Sequence, residues 1–189
     1  MDERAWWDLI EDARAAAGGH ADDRDSPDDP LVDLVTDRLL ALDGPGIVAF
    51  DALLTRVLDS AYRRPLWYAA YLIEGGCGDD GFMDFRAGLA LLGRDVFTRA
   101  VDDPDTLAGV PTVVRMSREE KGWIGAEGLH YAARNAYKRV MGETGSFDAA
   151  MESAVRSMRR PEHPVGDDWD VEDDAETRLR LPRLAALFL

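Results

Sequence analysis

The chain has little cysteine, histidine or lysine, and it has no long apolar run. Cys77 is the single cysteine in 189 residues, which excludes an intrachain disulfide and a cysteine-based zinc cluster. Of the three histidines, His20 and His163 sit among acidic or proline residues. His130 falls within a helical pattern, with no nucleophile or third group in view to complete a triad. No apolar stretch approaches the roughly 20 residues of a membrane-spanning helix. The opening MDERAWWDLIEDARAAA is acidic and amphipathic and lacks the basic region of a secretory signal. These absences lead to the expectation of a cytoplasmic protein. Lys121 and Lys138 are the two lysines among 22 cationic residues, which face 37 Asp and Glu for a net charge of −15. A field of that sign repels phosphate backbones and anionic lipid. It argues against nucleic acid and membrane surfaces, and it leaves a basic protein as the partner class it would attract.

What is present is enough apolar material for a core, at 46% of residues, patterned almost throughout with helical spacing. Trp6, Ile10, Ala13 and Ala17 form a stripe on a first helix over about residues 3–17. The polar stretch GGHADDRDSPDD interrupts it. Asp29 before Pro30 fits an N-cap with proline in the first helical turn, ahead of Leu31, Val35 and Leu39. Gly44-Pro45 repeats the device ahead of Ile47, Phe50, Leu54, Val57 and Ala61, and Pro65 opens a fourth helix through Ile73. Phe82, Phe85, Leu89, Leu92, Val96 and Ala100 continue the spacing, with a weak point at Gly93, and Asp103-Pro104 begins a short turn to Leu107. Ser117 and Glu120 have the spacing of a capping box for a helix running to about Met141. Ser146 caps another to about Arg160. VPTVVRM, residues 110–116, is the one cluster of β-branched residues. With no partner strand it reads as an extended connection. The chain is therefore expected to be all-α, a single helical domain of about seven to eight helices over residues 1–160. Residues 161–189 are expected to form a proline-broken acidic extension ending in a short apolar segment packed on the domain.

The stretch with the most chemistry-bearing residues is EGGCGDDGFMDFR, residues 74–86. Gly76 and Gly81 have the glycine spacing of a phosphate-binding P-loop. The Lys and Ser or Thr that must follow the second glycine are replaced by Phe82 and Met83. A cysteine phosphatase would need an Arg where Met83 stands. Neighbouring Asp79 and Asp80 also disfavour a thiolate at Cys77. Two adjacent carboxylates fall short of a calcium loop, and the tail DDWDVEDDAE lacks the glycine and closing glutamate of an EF-hand. The capping account covers more. Gly75 and Gly76 can take the positive φ that ends a helix, Asp80 can accept free N–H groups of the next, and both aspartates suit the positive end of its dipole. Arg86 lies on the apolar face of Phe82, Phe85 and Leu89. It needs either an internal anion, from Asp79, Asp80 or Glu74, or a ligand. Trp6, Trp7, Trp67, Tyr68 and Tyr71 could line a pocket, though aromatic residues at this spacing are usually core.

Four segments, WWDLIEDAR, AYLIEGGCGDDGFMDFRAGL, DPDTLA and WDVEDDAETRLRLPRLAALF, together resemble the bacterial family known as domain of unknown function 4240. Against that family's pattern, Gly78 stands for a serine, Glu74 for an asparagine and Gly88 for a larger residue. The resemblance implies a small, predominantly helical protein, and it brings no catalytic residues with it. The functional expectation is a non-catalytic binding or regulatory module with no cofactor and no metal. Tyr71, Asp79, Asp80 and Arg86 are its candidate binding residues. The alternative is an enzyme or metal-dependent hydrolase using Asp79 and Asp80.

Overall fold

The computed structural model describes residues 1–24, 30–119 and 121–189. The proposed cap at Asp29 and the Glu120 half of the capping box lie outside them. The described residues contain eleven α-helices and two 3-10 helices and no strand; Arg63 and Val165 form a lone parallel bridge. No helix among the described residues is long and apolar enough to cross a membrane.

Helix α1, Glu3–Ala17, is opened by Asp2, whose carboxylate accepts from the Ala5 N–H at 2.8 Å. Trp6, Ile10 and Ala13 of its stripe are buried, as the spacing predicts, and Ala17 is half-buried. Trp6 stacks on Phe50 with centroids 5.4 Å apart, and its indole N–H donates to the Phe50 carbonyl at 3.2 Å. A buried indole needs such an acceptor, so α1 is fixed in register against α3, Gly44–Ser60. Helix α2, Pro30–Leu39, packs against α1. Helix α4, Arg64–Glu74, leads through the glycine turn to α5, Asp79–Leu91. At Gly93, φ is +95° and α6, Arg94–Asp102, begins. The anticipated weak point is thus a full break, held by Glu11, which accepts from the Arg94 N–H at 2.9 Å. A 3-10 helix, Pro104–Gly109, follows.

The β-branched segment is not extended but forms α7, Pro111–Glu119. Pro111 supplies a preset φ for its first turn, and Thr112 and Val113 are buried. β-branching disfavours helix only slightly, and packing outweighs it. Ser117 therefore lies inside α7, its hydroxyl donating to the Val114 carbonyl at 2.9 Å, and it opens no helix. Residues 121–126 are non-helical, and the next helix is α8, Leu129–Met141. Helix α9 is Gly145–Ser157.

The helix count exceeds seven to eight because α7 exists and the end of the chain folds into α10, Asp174–Arg180, and α11, Pro182–Phe188. Asp105, only 4% exposed, accepts from the Arg183 and Leu184 N–H groups at 3.0 and 2.9 Å and from Arg183 Nε at 2.9 Å. A carboxylate from the 3-10 helix thus caps α11 across 78 positions, satisfying its free donors and its dipole. The buried core joins Trp6, Ile10, Leu39, Ile47, Phe50, Phe82, Phe85, Leu89, Val113, Ile124, Leu129 and Leu184.

Candidate functional site

The glycine turn is built from backbone. The Tyr71 carbonyl closes α4, accepting from Gly75 and, at 2.8 Å, from Gly76. Gly75 and Gly76 have φ of +68° and +128°, conformations that side-chain-bearing residues rarely adopt. The Trp67 indole then holds the Cys77 carbonyl at 2.8 Å. Trp67 is itself fixed by stacking on Phe82, with centroids 4.9 Å apart. The turn is therefore held at both ends.

The two aspartates do not cap α5. Gly78 is the N-cap, no side chain bonds the first free donors, and Asp79 and Asp80 occupy the first turn, exposed to solvent. Their favourable interaction with the helix dipole remains. Arg86 also differs from expectation. Its guanidinium turns to α3 and donates to the Leu58 carbonyl at 2.9 Å, while Nε donates to the Phe82 carbonyl at 3.2 Å. It also lies 4.9 and 5.0 Å over the rings of Tyr62 and Phe82. None of Asp79, Asp80 or Glu74 pairs with it, because the negative end of α3 and two aromatic faces supply what a carboxylate would have. Burial lowers its pKa, against which Asp59 and Tyr62 act to raise it. The Tyr71 hydroxyl faces Glu172, at 3.4 Å. The four candidate residues thus lie near one turn but do not converge on a common point.

What does converge is a set that sequence reasoning passed over. The loop 121–126 lies across α5, and the Ala126 N–H donates to the Asp84 carbonyl at 3.0 Å. Arg24, 2% exposed, holds it there by donating to the carbonyls of Ile124 at 2.6 Å, Gly125 at 3.3 Å and Gly88 at 3.2 Å. Gly88 is needed for this approach, since a Cβ there would stand 1.6 Å from the Ile124 carbonyl oxygen. Glu74 accepts from the Ile124 N–H at 3.3 Å. Burial raises the Glu74 pKa, while the Ile124 and Gly125 N–H groups and Arg24 pull it down. Beside this loop, Asp84 Oδ1 and His130 Nε2 are 3.5 Å apart, both half-buried. Neither atom has a hydrogen-bond partner among the described residues. Burial raises the Asp84 pKa, with His130 lowering it and Glu127 and Asp80 adding to the rise. Burial lowers that of His130, opposed by Asp84 and the Met83 carbonyl.

These environments constrain the chemistry. The Cys77 thiol is pushed up to about 12 by burial and by the charges of Glu74 and Asp84, which disfavours the thiolate at neutral pH. Among the described residues, no three His, Cys, Asp or Glu side chains gather as a metal site would require. A cleft of about 400 Å³ opens beside the turn between Glu74, Gly75, Met116, Trp123 and Phe188. Met83, Trp123 and Tyr131 are exposed on the segments that carry or flank Asp84 and His130.

A family model described as "Protein of unknown function (DUF4240)" matches residues 1–139. The chain belongs to this family. The DUF4240 match takes in the glycine turn, all four candidate residues, Arg24 and the Asp84–His130 pair, and it ends just before α8 closes. No curated protein and no solved structure matches the chain.

Proposed function

We propose that the chain is a non-catalytic binding or regulatory module of the cytoplasm. Its contact face is the braced surface around the glycine turn, and its partner is a protein presenting a basic, partly apolar segment. The observation that carries this reading is the mixture on that face. Exposed Met83, Trp123 and Tyr131 stand among Asp79, Asp80 and Glu127, beside a cleft floored by Met116 and Phe188. Large side chains left in water on a rigid support are a usual mark of an interaction surface. The carboxylates would steer a cationic partner toward it. Tyr71 and Arg86 serve this reading by holding the turn and the end of α3 in place.

Hydrolysis by Asp79 and Asp80 is less well supported, because both stand open to solvent on a helix turn and not in a concave pocket with converging polar groups. Two readouts separate the readings. Recovery of a basic protein on the immobilised chain should fall as salt is raised, and it should fall with Trp123→Ala or Asp79→Asn/Asp80→Asn. Recovery indifferent to salt and to both variants overturns the proposal. Turnover of phosphate or carboxylic esters that is lost in Asp80→Asn would favour the alternative.

A further inference from the structure

A second cleft, of about 460 Å³, lies where the last turns of α3 and α9 come together. It has the opposite electrostatic character. Arg56, Arg159 and Arg160 stand at or beside it, with Arg86 close enough to sense the charges of Asp59 and Arg160. In a chain where carboxylates outnumber cations 37 to 22, such a gathering needs a reason. Structural duties account for part of it. Arg160 holds Asp59 through a two-pronged contact at 2.7 and 2.9 Å. Arg156 pairs with Glu152, one turn before it on α9. Arg63 and Arg86 donate to the Ser60 and Leu58 carbonyls at the end of α3, where cations are favoured by the dipole.

Arg56 and Arg159 remain. Both are exposed, and neither makes a hydrogen bond or ion pair among the described residues. The one carboxylate of the cleft, Asp59, is already neutralised by Arg160. Glu162 lies exposed just beyond the Pro161 wall. Arg56 also lines a neighbouring cleft, where Asp2, Glu3 and Asp102 stand. The Ser60 and Ser157 hydroxyls at the rim donate to Val57 and Ala154, each at 2.6 Å. A rotation about the C–O bond would redirect either one to a ligand. Met158 and Pro161 give the cleft an apolar wall.

We propose that this cleft binds a small anion bearing two or more charged phosphoryl or carboxylate oxygens, with Arg56 and Arg159 as the donors. A planar guanidinium fork matches both phosphate and carboxylate oxygens, and the volume lies in the range of small-molecule sites. The site is independent of the glycine-turn face. The test is calorimetric titration of the full chain with pyrophosphate and with citrate, at constant ionic strength set with chloride. Saturable binding of either, with Kd below about 1 mM, supports the site, and the better ligand assigns its oxyanion as phosphoryl or carboxylate. In Arg56→Gln/Arg159→Gln, affinity should fall about tenfold or more, while Arg4→Gln leaves it unchanged. All three side chains are exposed, so the variants should fold. Absence of saturable binding for both anions, or equal binding by the double variant, overturns the proposal.

Discussion

Replacing Arg24 with methionine keeps most of the aliphatic volume and removes the guanidinium that holds loop 121–126. The cost can be worked from the contacts. Ile124 and Gly125 carbonyls, at 2.6 and 3.3 Å from Arg24, lie in non-helical chain and would lose their donor. A buried carbonyl left unpaired costs about 1–3 kcal/mol. Glu74 would also lose the positive neighbour that favours its ionised form. The loss is therefore about 3–6 kcal/mol, a large share of the 5–15 kcal/mol typical of a folded protein. For a chain of this size it corresponds to a Tm lower by roughly 10–20 °C. Urea unfolding followed by helical circular dichroism would measure it. Amide exchange at Ala126, whose N–H reaches the Asp84 carbonyl, would report release of the loop in the folded protein. A change below about 0.5 kcal/mol, the usual range of surface substitutions, would refute the claim that Arg24 is a buried clamp.

Asp51 is half-buried, and its pKa is raised from 3.8 to about 6 by burial. The folded state thus favours its protonated form, and that contribution is present below pH 4 and lost as pH rises through 6. After discounting for partial exposure, Asp51→Asn should gain about 1–2 kcal/mol at pH 7–8 and nothing below pH 4. Urea midpoints from pH 4 to 8 that show a constant gap would contradict this. Cys77 should react with iodoacetamide at pH 8 at least about a hundredfold more slowly in the folded chain than in urea, given its depressed thiolate fraction; equal rates would contradict its placement. Gly88→Ala should lose about 2–3 kcal/mol despite the better helix propensity of alanine, and a stabilised variant would mean that loop 121–126 does not lie against α5 as described.

The amphipathic helices were legible because their stripes repeat at 3.6 residues, and α1 and α3 bury the residues that spacing selects, apart from half-buried Ala17. The glycine turn was legible for a local reason, since Gly75 and Gly76 have positive φ values that few other residues tolerate. What failed was long-range. The Asp105 cap on α11 joins residues 78 positions apart. Arg24 sits in an acidic, glycine-bounded stretch where charge ordinarily signals solvent. The cluster 110–116 misled because β-branching is a weak preference that burial of Thr112 and Val113 overrides. A better signal lay unused in KGWIGAEGLH, residues 121–130. Its three glycines, one at φ +114°, break the helix that apolar spacing alone carries through to Met141.

The central claim is that the surface around the glycine turn is a contact face and performs no bond-breaking. Its most direct test places a photoreactive residue at position 83 of the full chain in cells. The account predicts cross-links to a basic segment of one protein, lost when Trp123→Ala or Asp79→Asn/Asp80→Asn is added. Cross-links that persist in both variants, or that form only from positions remote from the turn, would contradict it.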